Sequence, residues 1–136
     1  MFNTYNQTSE QSYLLDYGNS IDILSNKKVI THFKYIIKNK FTFINNIVPS
    51  FNKILISFDP KNKKKVLNLI NNLKLIDEIN KIESKLHTIP ICYDEEYAID
   101  YKKVEKAFSL TFDEFIKMHS SNIYYVFMIG FMPGLP

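Results

Sequence analysis

The chain has 136 residues, 46% hydrophobic and 23% charged, and its 17 basic residues are all lysines against 14 acids, giving a formal net charge of +3. That length suits one domain or two small ones, that composition excludes disorder, and so small a charge without arginine argues against a nucleic-acid partner. No apolar run reaches the ~20 residues that span a bilayer and no secretory leader is visible in residues 1–11, so a cytoplasmic protein without a membrane anchor is expected.

Residues 13–17 are a short apolar, aromatic run closed by Gly18, Asn19 and Ser20, which predicts a strand and a turn. From Ser25 the period changes. Val29, Ile30, Phe33, Ile36 and Ile37 recur at helical spacing with lysines on the remaining face, predicting a helix over 26–39 with Ser25 as its N-cap. Residues 41–48 and 51–58 read as two strands joined through Pro49 and Ser50, since Ile54, Ile56 and Phe58 alternate with Leu55 and Ser57. Asp59 and Pro60 carry an N-cap plus first-turn proline signature, opening a helix over 61–83. Residues 86–92 complete the series as a strand that Pro90 places at an edge or bend. The order is βαββαβ, an α+β layer of two helices on one sheet, as in ferredoxin-like folds.

The character then changes. Asp100 can cap a short helix bearing Val104, Ala107 and Phe108, and Thr111 with Glu114 has capping-box spacing for a helix over 112–119. Residues 123–129 read as an apolar, aromatic strand with no partner strand after it. It is expected to begin a second domain continuing beyond residue 136, and residues 123–136 are expected to be the aggregation-prone stretch.

Few residues carry chemistry by pattern. His32 and His87 read as structural, and Cys92, with no CxxC partner and in an apolar strand, as an inert buried thiol. Asp94, Glu95 and Glu96 read as a solvated loop, and the lysine-rich 61–65 run as a solubilising helix end. Two acids at the start of the 112–119 helix rule it out as a DNA-recognition helix. His119 with Ser120 and Ser121 ends that helix. Pattern alone makes the histidine a C-cap, and the alternative is an acid/base or substrate-orienting group.

Three segments in order resemble the family of B-type 5-oxoprolinase subunits, also called the KipI-like or allophanate hydrolase subunit 1 family. They are Ile89-Pro90-Ile91-Cys92-Tyr93-Asp94, Phe115-Ile116-Lys117-Met118-His119-Ser120-Ser121 and Phe127-Met128-Ile129-Gly130-Phe131-Met132-Pro133-Gly134. Members of that family carry an I-P-V-x-Y segment, an L-H-S-S helix end and a G-F-x-P-G-F turn. This chain departs at Leu135, where an aromatic is usual, and at Ser9-Glu10-Gln11-Ser12, where a Gly-Asp pair is usual.

The resemblance implies a ferredoxin-like domain over 1–88 and, over 89–136, the start of a cyclophilin-like β-barrel. It implies a subunit of an ATP-dependent 5-oxoprolinase that hydrolyses 5-oxo-L-proline to L-glutamate with subunits C and A. ATP and Mg2+ enter through the complex, and the isolated chain is expected to be inactive. His119 is then an acid/base or orienting group, and Ser120, Ser121, Gly130, Phe131, Pro133 and Gly134 are substrate or partner contacts. Two other family roles stay open: a KipI-like inhibitor of a sensor histidine kinase, and a carboxyltransferase or allophanate hydrolase subunit of urea metabolism.

Overall fold

The computed structural model describes residues 2–76, 84–130 and 132. These fall into two compact units, one within 1–83 and 126–136 and the other within 84–125.

The first unit is built on a four-stranded antiparallel sheet of β1 (Thr4–Ser9), β2 (Ser12–Asp16), β3 (Ile44–Pro49) and β4 (Lys53–Phe58), in the order β1-β2-β4-β3. Along β2 and β4 alternate residues are buried, which puts Tyr13, Leu15, Ile54, Ile56 and Phe58 on one face. Helix α1 (Ile23–Asn39) adds Val29 and Ile36 to that core, and helix α2 (Lys63–Leu73) adds Val66, Leu69, Ile70 and Leu73. Phe2 and Tyr17 close it at one end, with Lys74 Nζ over the Phe2 ring at 5.4 Å.

Several local expectations are corrected. The N-cap of α1 is Asp22, not Ser25: its carboxylate accepts from the Ser25 amide and hydroxyl, both at 2.8 Å, so the helix starts earlier. The exposed aliphatic side chains of Ile23 and Leu24 in its first turn blurred the amphipathic pattern there. Asp59 does accept from the Lys61 amide, but the turn it opens, Pro60–Asn62, is 3-10 before α2 begins. Helix α2 ends at Leu73, short of the expected 83, and residues 77–83 lie outside the described residues.

The sheet also departs from the expected βαββαβ order. Residues 86–92 are not a strand, so Cys92 is exposed rather than buried, and the place beside β2 is taken by β1. Residues 123–129 are likewise not a strand. The mixed α and β architecture stands, with one antiparallel sheet and four α-helices among the described residues.

The second unit contains α3 (Tyr101–Phe108) and α4 (Phe112–Ser121). The expected capping box is present at Thr111: its hydroxyl accepts from the Glu114 amide, and the Glu114 carboxylate accepts from the Thr111 amide at 2.8 Å. That amide, with the Thr111 hydroxyl, holds the Glu114 carboxyl below its ordinary range. Asp100 occupies the N-cap of α3 without a side-chain cap bond and pairs instead with Lys103 at 2.7 Å. Glu105 accepts from the Phe112 amide at 2.9 Å, tying the two helices together. Aromatic contacts join Tyr101 to Phe112 and Phe108 to Phe115, yet no residue of either helix is fully buried.

Candidate functional site

The capping box fixes where α4 starts, and the 3.6-residue period then places Phe115 and His119 one turn apart on one face. Their rings are stacked, with centroids 5.7 Å apart and 6° between planes. Tyr93 approaches the imidazole edge-on at 84°, and its hydroxyl is hydrogen-bonded to His119 Nδ1 at 2.5 Å. Tyr124 Oη donates to the His119 backbone carbonyl at 3.1 Å, and its ring lies 5.4 Å from the imidazole. The half-buried ring is thus held by three aromatic residues and one hydrogen bond.

His119 and Tyr93 line a cleft of about 370 Å³ in the second unit, together with His87, Ile89, Ser120 and Asn122. Among the described residues no hydrogen bond engages His119 Nε2. The cleft therefore combines apolar walls with a small set of polar groups, as small-molecule sites do. Its imidazole can donate to or accept from an oxygen of a bound molecule.

The other expected site residues are placed differently. Ser120 Oγ donates to the Ile116 carbonyl at 2.7 Å and Ser121 Oγ to the Met118 carbonyl at 3.2 Å, so both hydroxyl protons serve the end of the helix. Their oxygens keep acceptor capacity, and Ser120 alone of the pair lines the cleft. Gly130 belongs to the first unit, at φ +138°, a conformation that side chains rarely adopt. Phe131, Pro133 and Gly134 lie outside the described residues.

The stretch that leads to Gly130 is anchored in the first unit. The buried Asn26 amide donates to the Phe51 carbonyl at 2.7 Å and to the Phe127 carbonyl at 2.9 Å. A second cleft, of about 420 Å³ and largely apolar, lies there between Ile30, Ile47 and Pro49 and residues 126–130.

Tyr93, Asn122 and Asn26 were not legible as site or anchor residues. Tyr93 was visible only as the last position of the Ile89–Tyr93 motif, and nothing in spacing pairs it with a histidine 26 residues on. His32 is structural, as expected, but fully buried: Tyr17 Oη lies 2.8 Å from its Nδ1, and the Ile76 carbonyl lies 3.2 Å from its Nε2. Among the described residues no group of three His, Cys, Asp or Glu side chains could hold a metal ion. No helix among them is long and apolar enough to cross a membrane.

Residues 3–136 match the model of the carboxyltransferase domain, subdomain C and D, and the chain belongs to that family. It is 25% identical over 143 aligned positions to the B-type subunit of 5-oxoprolinase from Bacillus subtilis (strain 168). That alignment covers 96% of this chain and 60% of the relative, so the chain spans about three-fifths of the length of the curated relative it matches. Among solved structures, TTHA0988 superposes with a TM-score of 0.73 at 21% identity, over 91% of this chain and 24% of that one. The conserved uncharacterized protein PH0987 from Pyrococcus horikoshii gives a TM-score of 0.49 at 25% identity, over 96% and 61% of the two chains.

Proposed function

We propose that this chain acts as the B-type subunit of an ATP-dependent 5-oxoprolinase, opening the lactam of 5-oxo-L-proline to give L-glutamate with partner subunits of the A and C types. The observation that carries the reading is the alignment to the B-type subunit of 5-oxoprolinase across 96% of this chain.

A lactam amide is a poor electrophile, and ATP supplies the missing activation by phosphorylating the amide oxygen. With three glycines in all, the chain has no glycine-rich phosphate loop. On this reading ATP and its Mg2+ enter through the assembled complex.

On this reading the cleft beside α4 holds the lactam. His119 orients it or moves a proton, and Ser120 offers an acceptor beside it. Ser121 supports the helix end. Gly130 lets the backbone come close to a ligand or partner, and Phe131, Pro133 and Gly134 are the further residues assigned to substrate or partner binding. A cell lacking its own B-type subunit, supplied with this chain and grown on 5-oxoproline as sole nitrogen source, tests the reading. Restored growth is expected, and no growth despite soluble expression with compatible A and C subunits would contradict it.

A further inference from the structure

Tyr93 and His119 share a hydrogen bond whose direction decides what His119 can do. A phenol hydroxyl is a good donor, whereas its oxygen is a weak acceptor because its lone pair is shared with the ring. An unprotonated imidazole nitrogen is a good acceptor.

The molecule contains a second pair of the same kind in which the direction is forced. His32 Nε2 faces the carbonyl oxygen of Ile76, which can only accept, so that nitrogen carries the proton. In the neutral ring its Nδ1 must then accept from Tyr17 Oη. Tyr93 meets the same nitrogen, Nδ1, of His119.

We propose that Tyr93 is a positioning residue that donates to His119 Nδ1 and so presents Nε2–H as a hydrogen-bond donor to a carbonyl or carboxylate oxygen of a small molecule in the cleft. Phe115 stacked on one face and Tyr93 at the edge hold the ring in that pose, and the Tyr124 bond to the His119 carbonyl holds the backbone beneath it. In this state His119 is an orienting, polarising donor and not a general base, because the nitrogen available to the ligand already carries its proton. The identity of the acceptor as the lactam of 5-oxoproline rests on the function proposed above. The role of Tyr93 does not.

Long-range proton–nitrogen correlation spectra of the full chain, labelled at histidine, test the proposal. In its neutral form the His119 ring should show a protonated Nε2 and an unprotonated Nδ1. Tyr93→Phe, which keeps the ring contacts, should lose that preference and show both tautomers in exchange. A wild-type ring protonated on Nδ1 would overturn the proposal without any variant being needed, and so would a Tyr93→Phe spectrum in which the single tautomer persists. Titration with 5-oxoproline then separates the two claims. A shift of the His119 Nε2 signal supports the lactam as acceptor. No shift at saturating 5-oxoproline, with the tautomer as expected, contradicts the substrate assignment and leaves Tyr93 as the residue that sets the ring.

Discussion

Asn26 and Phe127 are 101 residues apart in sequence, and the side-chain amide of the first donates to the backbone carbonyl of the second at 2.9 Å. The same nitrogen donates to the Phe51 carbonyl at 2.7 Å, and Asn26 is only 1% exposed. One buried amide thus fastens the turn between β3 and β4, and residues 126–130, to helix α1. Asn26→Ala removes the donor shared by two part-buried hydrogen bonds, which together are worth about 1–3 kcal/mol. The variant should unfold at a correspondingly lower denaturant midpoint, with earlier proteolysis around 126–130. An unchanged midpoint would show that other groups hold that stretch.

The Tyr17–His32 pair makes a similar demand on the core. Both side chains are buried, and burial pushes the Tyr17 hydroxyl well above the ordinary tyrosine range, so it stays a neutral donor. Tyr17→Phe keeps the ring and leaves the buried imidazole nitrogen without that donor, at a cost of about 1–3 kcal/mol. Equilibrium denaturation measures it. A loss close to zero would mean that this bond adds nothing to the fold.

Acid sensitivity follows from two carboxylates. Lys53 Nζ, at 2.6 Å, and the Gly18 amide hold Asp16 below its ordinary value of 3.8, and the Ser25 amide, first among several donors, does the same for Asp22. A carboxyl whose pKa is depressed by folding stabilises fully above its unfolded value and loses that contribution as pH falls through the lower folded value. Both contributions are therefore intact near neutrality and are lost below about pH 4. Because the Asp16–Lys53 pair is partly exposed, Asp16→Asn should cost only about 0.5–1 kcal/mol at pH 7. The gap between variant and parent should narrow near pH ~3, as the parent carboxylate protonates. A gap that is constant with pH would contradict this origin.

The sequence made some of this architecture legible and hid the rest for identifiable reasons. The period-2 pattern of β4 and the helical stripes of α1 and α2 were clear because one face of each is buried in a single core. The capping box was clear because it is a local device of two side chains three residues apart. Strand β1 was not, since TYNQTS lies on the sheet's outer edge with mostly exposed side chains and shows no apolar alternation. The position beside β2 belongs to β1, and the apolar run 86–92 is not a strand. His119 stood out by its motif, but its partner Tyr93 depends on tertiary packing that no helical or strand period encodes.

Helix α4 carries His119, and its start is set by Thr111. Thr111→Ala removes the hydroxyl that accepts from the Glu114 amide and should cost about 1 kcal/mol. The loss should appear as fraying of the first turn of α4, read by amide hydrogen exchange at residues 112–115. Unchanged exchange there would show that the contacts of α3, with Glu105 on the Phe112 amide, suffice to hold the helix.

Whether this chain is a working part of a 5-oxoprolinase is tested most directly by glutamate and ADP formation from 5-oxoproline and ATP. The measurement uses purified A- and C-type subunits, with and without this chain. Hydrolysis should require the chain, the chain alone should turn over neither compound, and His119→Ala, which removes the polarising donor, should lower the rate of the assembled enzyme by about 10²-fold. Equal rates with and without the chain would contradict its role in the enzyme.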